Sequence, residues 1–238
     1  MRERYGIDAP GIVRMFAVLG VVLAVLSAVL FALTAAWWGV ALGTLSGLSA
    51  LTFLVQCGWM LHSSLIGKRR LWRRTLDGLP LRGDEQVLEV GPGRGAVLIT
   101  AARAVRAGHL VGVDIWRAQD QSGNGAGALL ANARAAGVAH RVEALDGDMR
   151  KLPFPGDSFD LALASLAIHN LPPGDRAGAV AELLRVVRPG GRIVILDFQA
   201  ISTYADSLRE GGADVKISGI HLSMHPPVRI VSATLPQQ

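Results

Sequence analysis

The sequence predicts an α/β domain built on a parallel sheet, closed by an antiparallel pair of strands and preceded by a two-helix transmembrane hairpin. Three observations carry this. Met15 to Gly67 contains no Asp, Glu, Lys or Arg. From residue 85 onward, short apolar runs alternate with helical stretches, the rhythm of strands joined by crossover helices. The last two apolar runs lie too close together for a crossover, so they pair antiparallel.

One membrane span needs about 20 apolar residues, so the uncharged run is long enough for two. The first is expected at roughly Met15–Leu33 and the second at roughly Val40–Leu61. Trp37 and Trp38 fall in the turn between them, where tryptophan favours a membrane interface. Gly39, Gly43 and Gly47 recur every four residues. That spacing suits a close-packing helix face, and equally the raised glycine content of membrane helices.

Charge follows the same division. Residues 1–74 hold eight Lys/Arg and two acids, whereas residues 75–238 hold sixteen and seventeen. The basic excess therefore flanks the apolar run. The positive-inside rule places both ends, and the domain that follows, in the cytoplasm. With no basic footprint on that domain, nucleic acid is not an expected partner. The division is then 1–67 as membrane anchor, 68–84 as a basic interfacial linker helix, and 85–238 as the catalytic domain. In the linker, Leu71, Trp72 and Leu76 are expected to lie on lipid while the arginines meet headgroups.

Within the domain, strands are expected at Gln86–Val90, Leu110–Asp114, Val142–Leu145, Asp160–Ser165, Arg192–Asp197, Val215–Leu222 and Val228–Thr234. Helices are expected at about Ala96–Ala107, Ala126–Ala136, Asp175–Val187 and Tyr204–Glu210, with Pro189-Gly190-Gly191 as a sharp stop before the fifth strand.

The strongest motif is Glu89-Val90-Gly91-Pro92-Gly93-Arg94-Gly95. Glycines there let the backbone turn tightly and approach a ligand, and the next helix offers its N-terminus to it. Asp114 closes the second strand, 21 residues after Gly93, where a carboxylate can accept from both ribose hydroxyls. These two features alone do not separate a nicotinamide site from a methyl-donor site.

Further elements follow in order: Val111-Gly112-Val113-Asp114, Gly147-Asp148-Met149 with Leu152-Pro153-Phe154, Ser158-Phe159-Asp160, and Arg188-Pro189-Gly190-Gly191-Arg192. Together they resemble the class I S-adenosylmethionine-dependent methyltransferase family, of the small-molecule, ubiquinone-biosynthesis-like type. The resemblance covers residues 86–198. It implies a seven-stranded Rossmann-like sheet with an antiparallel C-terminal hairpin, and S-adenosyl-L-methionine as co-substrate. It also implies roles. Glu89, Gly91, Gly93 and Gly95 would line the methionine half of the donor. Asp114, with Ile115 beside it, would hold the ribose. Asp148 would accept from the adenine amino group, with Met149 nearby, and Ser165 would border the methyl group.

Two stretches depart from the family pattern. The polar insertion Trp116–Asn124 offers Trp116, at the substrate side, to stack near the adenine, and Asp120, Gln121 or Asn124 to face the acceptor. It reads equally as a solvated loop, with Asn124 capping the next helix. In Ser165–Leu171, His169 sits where a base would be needed, beside Asn170. Asn170-Leu171-Pro172-Pro173 is not the Asn-Pro-Pro-aromatic motif of many amino-methylating enzymes on nucleobases or protein amides.

No metal site is expected. Cys57 is the single cysteine, and His221 and His225 lie on an extended segment with no carboxylate beside them. The expected activity is methyl transfer to a lipophilic small molecule, a membrane lipid or a quinone-like compound, at the cytoplasmic membrane face. Two rival readings remain at this point: a membrane-bound NAD(P)-dependent oxidoreductase, and a non-catalytic membrane scaffold.

Overall fold

A computed structural model describes residues 3–117 and 120–237. Two long apolar helices come first, α1 (Pro10–Leu33) and α2 (Trp37–His62). At 1.5 Å per residue they run about 36 Å and 39 Å, long enough to cross a bilayer. They pack antiparallel along a small-residue seam. Ser27 Oγ donates to Gly43 O at 2.7 Å, a Cβ on Gly43 would press on the Phe31 ring, and one on Gly47 would meet Ser27. The two glycines thus form a close-packing face. Large side chains on the outer surfaces, such as Val18, Leu45 and Leu48, stay exposed.

A π-helical turn, Ser63–Gly67, carries α2 directly into α3 (Lys68–Asp77). The expectation of an interfacial linker fails here. Leu71, Trp72 and Leu76 do not lie on lipid; all three are buried in the catalytic core, Trp72 completely. The Trp72 indole N–H donates to Ser165 Oγ at 2.8 Å, so its polar atom is satisfied as burial requires. The wide π-turn shifts the phase of the helix, so the apolar side meets the sheet while Arg70, Arg73 and Arg74 stay exposed.

The sheet order is β3-β2-β1-β4-β5-β7-β6, from β1 (Val87–Val90), β2 (Leu110–Asp114), β3 (Val142–Asp146), β4 (Phe159–Ser165), β5 (Val187–Asp197), β6 (Asp214–Ile217) and β7 (Arg229–Thr234). β1 to β5 pair in parallel, and β7 is antiparallel to both β5 and β6. The helices are α4 (Ala96–Ala104), α5 (Ala126–Ala135), α6 (Arg176–Val186) and α7 (Ile201–Glu210). Alternation along the strands divides the core. Val87, Leu161 and Leu163 face α3, α4 and α5. Leu88, Val90 and Ala162 face α6 and α7.

Two element boundaries need correction. Pro189-Gly190-Gly191 does not separate a helix from a later strand, because β5 already begins at Val187. Its pairing jumps from Phe159↔Val187 to Leu161↔Arg192, so the Pro-Gly-Gly segment is absorbed as an irregularity, where proline is tolerated in a sheet. The sixth strand ends at Ile217 rather than Leu222, leaving one isolated bridge, His221↔Val228, in the loop beyond.

The burial of Trp72 gives a stability prediction. Trp72→Ala should cost about 3–5 kcal/mol, whereas Arg73→Ala or Arg74→Ala should stay within about 0.5 kcal/mol. Denaturant titration of the full chain in detergent compares them. Equal, small effects would show that α3 is not part of the core.

Candidate active site

The site forms where β1, β2, β4 and β5 end, the edge at which open α/β sheets bind ligands. After β1 the chain turns through Gly91, Gly93 and Gly95, all at positive φ. Gly91 and Gly93 are also needed sterically: a Cβ would lie 2.4 Å from Ala167 Cβ and 2.5 Å from Gln121 Oε1. A cavity of about 490 Å³ opens above this loop.

Most of the expected residues meet there. Glu89, Gly91, Gly93, Asp114, Ile115, Met149 and Ser165 line the cavity, as do Asp120, Asn124, His169 and Asn170. Three do not. Gly95 caps α4 beneath the loop. Trp116 turns away, its indole N–H donating to Asp146. Asp148 is clasped by Arg150 at 2.6 Å, and Arg150 also reaches Asp175 at 2.7 Å. This pairing holds the Asp148 carboxyl below its ordinary range. Asn124 does not cap α5; its amide donates to Arg117 O at 3.2 Å and the helix starts after Gly125. Of the polar insertion, Ala118 and Gln119 lie outside the described residues.

The two key carboxylates differ electrostatically. Asp114 accepts from the Gly93 and Trp116 backbone N–H groups at 3.0 and 2.8 Å. Burial still raises its pKa, against those hydrogen bonds. Glu89 is fully buried, and one carboxyl oxygen has no hydrogen-bond partner. Burial pushes it up to about 8, with the Lys68 charge pulling it part of the way back. An orphaned carboxyl beside a glycine cradle fits the ammonium group at the amino-acid end of S-adenosylmethionine, and Asp114 is the residue that would meet the ribose.

Several cavity residues carried no readable signal in the sequence. Ile12 and Phe16 from the start of α1, and Met60 near the end of α2, line the same cavity as the glycine loop. Asp8 and Lys68 pair at 2.5 Å across the rim. The arm before α1 is bound to the polar insertion: Ala9 N donates to Asp120 O and Ser122 N to Ile7 O, each at 3.1 Å. Gln121 joins both sides, donating to Asp8 Oδ1 at 3.0 Å and accepting from Arg94 N at 2.7 Å. Asn132 staples the arm to α5, exchanging hydrogen bonds with the Arg4 backbone at 2.8 and 3.0 Å. The insertion therefore holds the N-terminal arm over the cavity.

One missed residue was legible in principle. Asp197 ends β5, at the ligand-binding edge, and is completely buried. It accepts from Phe198 N at 2.8 Å and the Tyr204 hydroxyl at 3.2 Å. His169 Nδ1 lies 2.9 Å from Asp197 Oδ1, though the ring is turned away from a straight N–H···O line. Apart from these dyads, the described residues contain no cluster of three His, Cys, Asp or Glu suited to a metal.

Sheet order, glycine loop and strand-end carboxylates define a class I methyltransferase domain. Residues 88–195 match the family described as "Methyltransferase domain". The ubiquinone/menaquinone biosynthesis C-methyltransferase UbiE of Vibrio vulnificus (strain YJ016) is 31% identical over 134 residues, 56% of this chain and 48% of that protein. The match thus spans about half the length of this relative. Among solved structures, the [4+2]-cyclase SpnF superposes with a TM-score of 0.59 at 20% identity, covering 71% of this chain and 82% of the other. Geranyl diphosphate methyltransferase in complex with SAM gives 0.55 at 14% identity, covering 70% and 84%. At such identities these likenesses show the fold alone, and a cyclase among them shows that the fold does not dictate the reaction.

Glu89 supplies a pH test. Its raised pKa leaves it protonated in the free protein below about pH 8, whereas a cationic ligand needs the carboxylate. Binding must then release a proton. Affinity for S-adenosylmethionine should rise with pH and level off above about 8, changing roughly tenfold per unit below it. Calorimetry in buffers of different ionisation enthalpy reads the proton release directly. Glu89→Gln should bind weakly and without this slope. A flat wild-type profile between about pH 6 and 8 would refute the role.

Proposed function

We propose that this chain is a membrane-anchored, S-adenosylmethionine-dependent methyltransferase acting on a lipophilic small molecule at the cytoplasmic face of a bilayer. One observation carries the acceptor reading. The cavity that holds Glu89 and Asp114 is also lined by Ile12, Phe16 and Met60, from the ends of the two apolar helices. An acceptor there touches both the donor loop and the helical hairpin. The printed name of the UbiE relative, a ubiquinone/menaquinone biosynthesis C-methyltransferase, adds a quinone-type head as the class to test first. In this reading α1 and α2 span the membrane, with both termini inside.

The donor brings a methyl group already activated on a sulfonium, so the protein mainly orients the partners. Glu89 and the glycine loop hold the amino-acid end, Asp114 the ribose, and Ser165, itself fixed by Trp72, borders the transfer point. The methyl bonds to the acceptor while the bonding pair stays on sulfur. The acceptor proton passes to His169. Asp197 Oδ1 stands 2.9 Å behind His169 Nδ1, which leaves the other ring nitrogen to act as base, and burial beside Asp197 keeps Tyr204 protonated as a donor to that carboxylate. A nicotinamide oxidoreductase is disfavoured by the antiparallel β7 and the family match. A silent scaffold is disfavoured by the orphaned Glu89.

The direct test incubates the full chain in lipid nanodiscs with methyl-labelled donor and a reduced short-chain quinone, and follows labelled product by mass spectrometry. His169→Gln and Asp197→Asn should each slow transfer by about 10²–10⁴-fold while donor binding persists. Tight NAD binding without donor binding would sink the assignment. Reporter fusions at Ala36 and after Gln238 should report opposite sides of the membrane, and a C-terminus outside would refute the topology.

A further inference from the structure

The loop between β6 and β7 is long for a hairpin and apolar at its tip. Ile220 and Leu222 are 59% and 65% exposed, the two most exposed large hydrophobic residues after residue 66 among those described. Nothing among the described residues covers them, yet the loop itself is firmly held. Trp59 Nε1 donates to Leu222 O at 3.1 Å. Met224 is completely buried and accepts from Ser63 Oγ at 3.6 Å. Gly67 lets the loop press against the π-turn, since a Cβ there would lie 2.1 Å from Ser223 O. The Trp59 ring meets His225 edge-on, with centroids 4.8 Å apart.

The anchor point sets the depth of the loop. Counting from the Trp37-Trp38 turn, about 20 helical residues cross about 30 Å of hydrocarbon, which puts its near edge at about residue 58 of α2. Trp59 follows immediately. Beyond it the exposed surface stays apolar at Leu65 and Ile66, and the first cations on that helix are Lys68, Arg69 and Arg70. The tip of the loop is thus tied to the second helix at the level where acyl chains give way to headgroups. Trp59 is the residue type that favours this level.

We propose that residues 218–227 form a membrane-dipping finger that inserts Ile220 and Leu222 into the headgroup boundary and so seats the mouth of the cavity on the bilayer. The proposal rests on the two-span reading. His225 and Pro226 of the same loop line the cavity together with Ile12 and Met60. The finger is therefore both a lipid contact and part of the cavity wall. The bilayer is the occupant because the loop is tied to α2 at Trp59, where the exposed apolar surface of that helix reaches the headgroup level.

The test uses the full chain in phosphatidylcholine nanodiscs, with the single native cysteine replaced (Cys57→Ala) and an environment-sensitive fluorophore placed by Leu222→Cys. Lipids carrying a doxyl quencher near the headgroup, or deep in the acyl chain, report depth. The expected result is a blue-shifted emission quenched more strongly by the shallow lipid. Leu51→Cys, in the middle of α2, should be quenched best by the deep lipid, and Glu210→Cys, exposed on α7, by neither. An unquenched label at 222 beside a quenched label at 51 overturns the finger while leaving the spans intact. Absence of quenching at both positions overturns the span reading, and the finger with it. A blue shift at 222 that depends on protein concentration rather than on lipid overturns the finger in favour of contact between copies.

Discussion

An apolar helix that runs into a protein core without a break must change what its apolar residues face. Between Trp37 and Asp77 the chain does this in one element, and the π-turn at Ser63–Gly67 marks the change. Before it, the large side chains of α2 look outward. After it, Trp72 and Leu76 are sealed beneath the sheet. A flexible linker would leave the catalytic domain free to tumble. Here the helix is part of the domain, so the direction of the hairpin and the direction of the sheet are set together.

The consequences reach the site. Trp72 holds Ser165 at the end of β4, and Lys68, one turn earlier, meets Asp8 at the rim and lowers the cost of charging Glu89. The N-terminal arm completes the enclosure. It is tied to the insertion by backbone pairing and by Gln121, and to α5 by Asn132. These groups come from separate stretches of chain, and together they turn an open strand-end crevice into a cavity partly lined by the helical hairpin. Such a wall suits an acceptor with little affinity for water.

Electrostatics in the cavity are arranged around one uncompensated acid. Asp114 is buried but hydrogen-bonded to the loop it faces. Asp197 is buried but accepts from Phe198 and Tyr204. Glu89 is buried with one carboxyl oxygen left unpartnered. A buried carboxyl without a partner destabilises its own charged form. A positively charged ligand relieves that cost, which links binding at this position to the selection of a cation.

The sequence by itself determined the elements and the donor edge of the site. Period-two and period-3.6 patterns, glycine turns and an uncharged run depend on neighbours close in the chain, so the strands, the loop at Gly91–Gly95, Asp114 and the two long helices could all be read. It misled at Leu71, Trp72 and Leu76, because an amphipathic basic helix looks the same whether its apolar side meets lipid or protein. It could not show that Asp148 is held by Arg150, because charge partners are chosen by side-chain reach in the folded chain. Only the tertiary structure decided that Asp8, Met60 and Lys68 border the same cavity as Glu89, that Asp197 stands behind His169, and that the hairpin contributes to the cavity wall. Those relations depend on which way α3 packs under the sheet, and that is settled by burying Trp72, not by any local pattern.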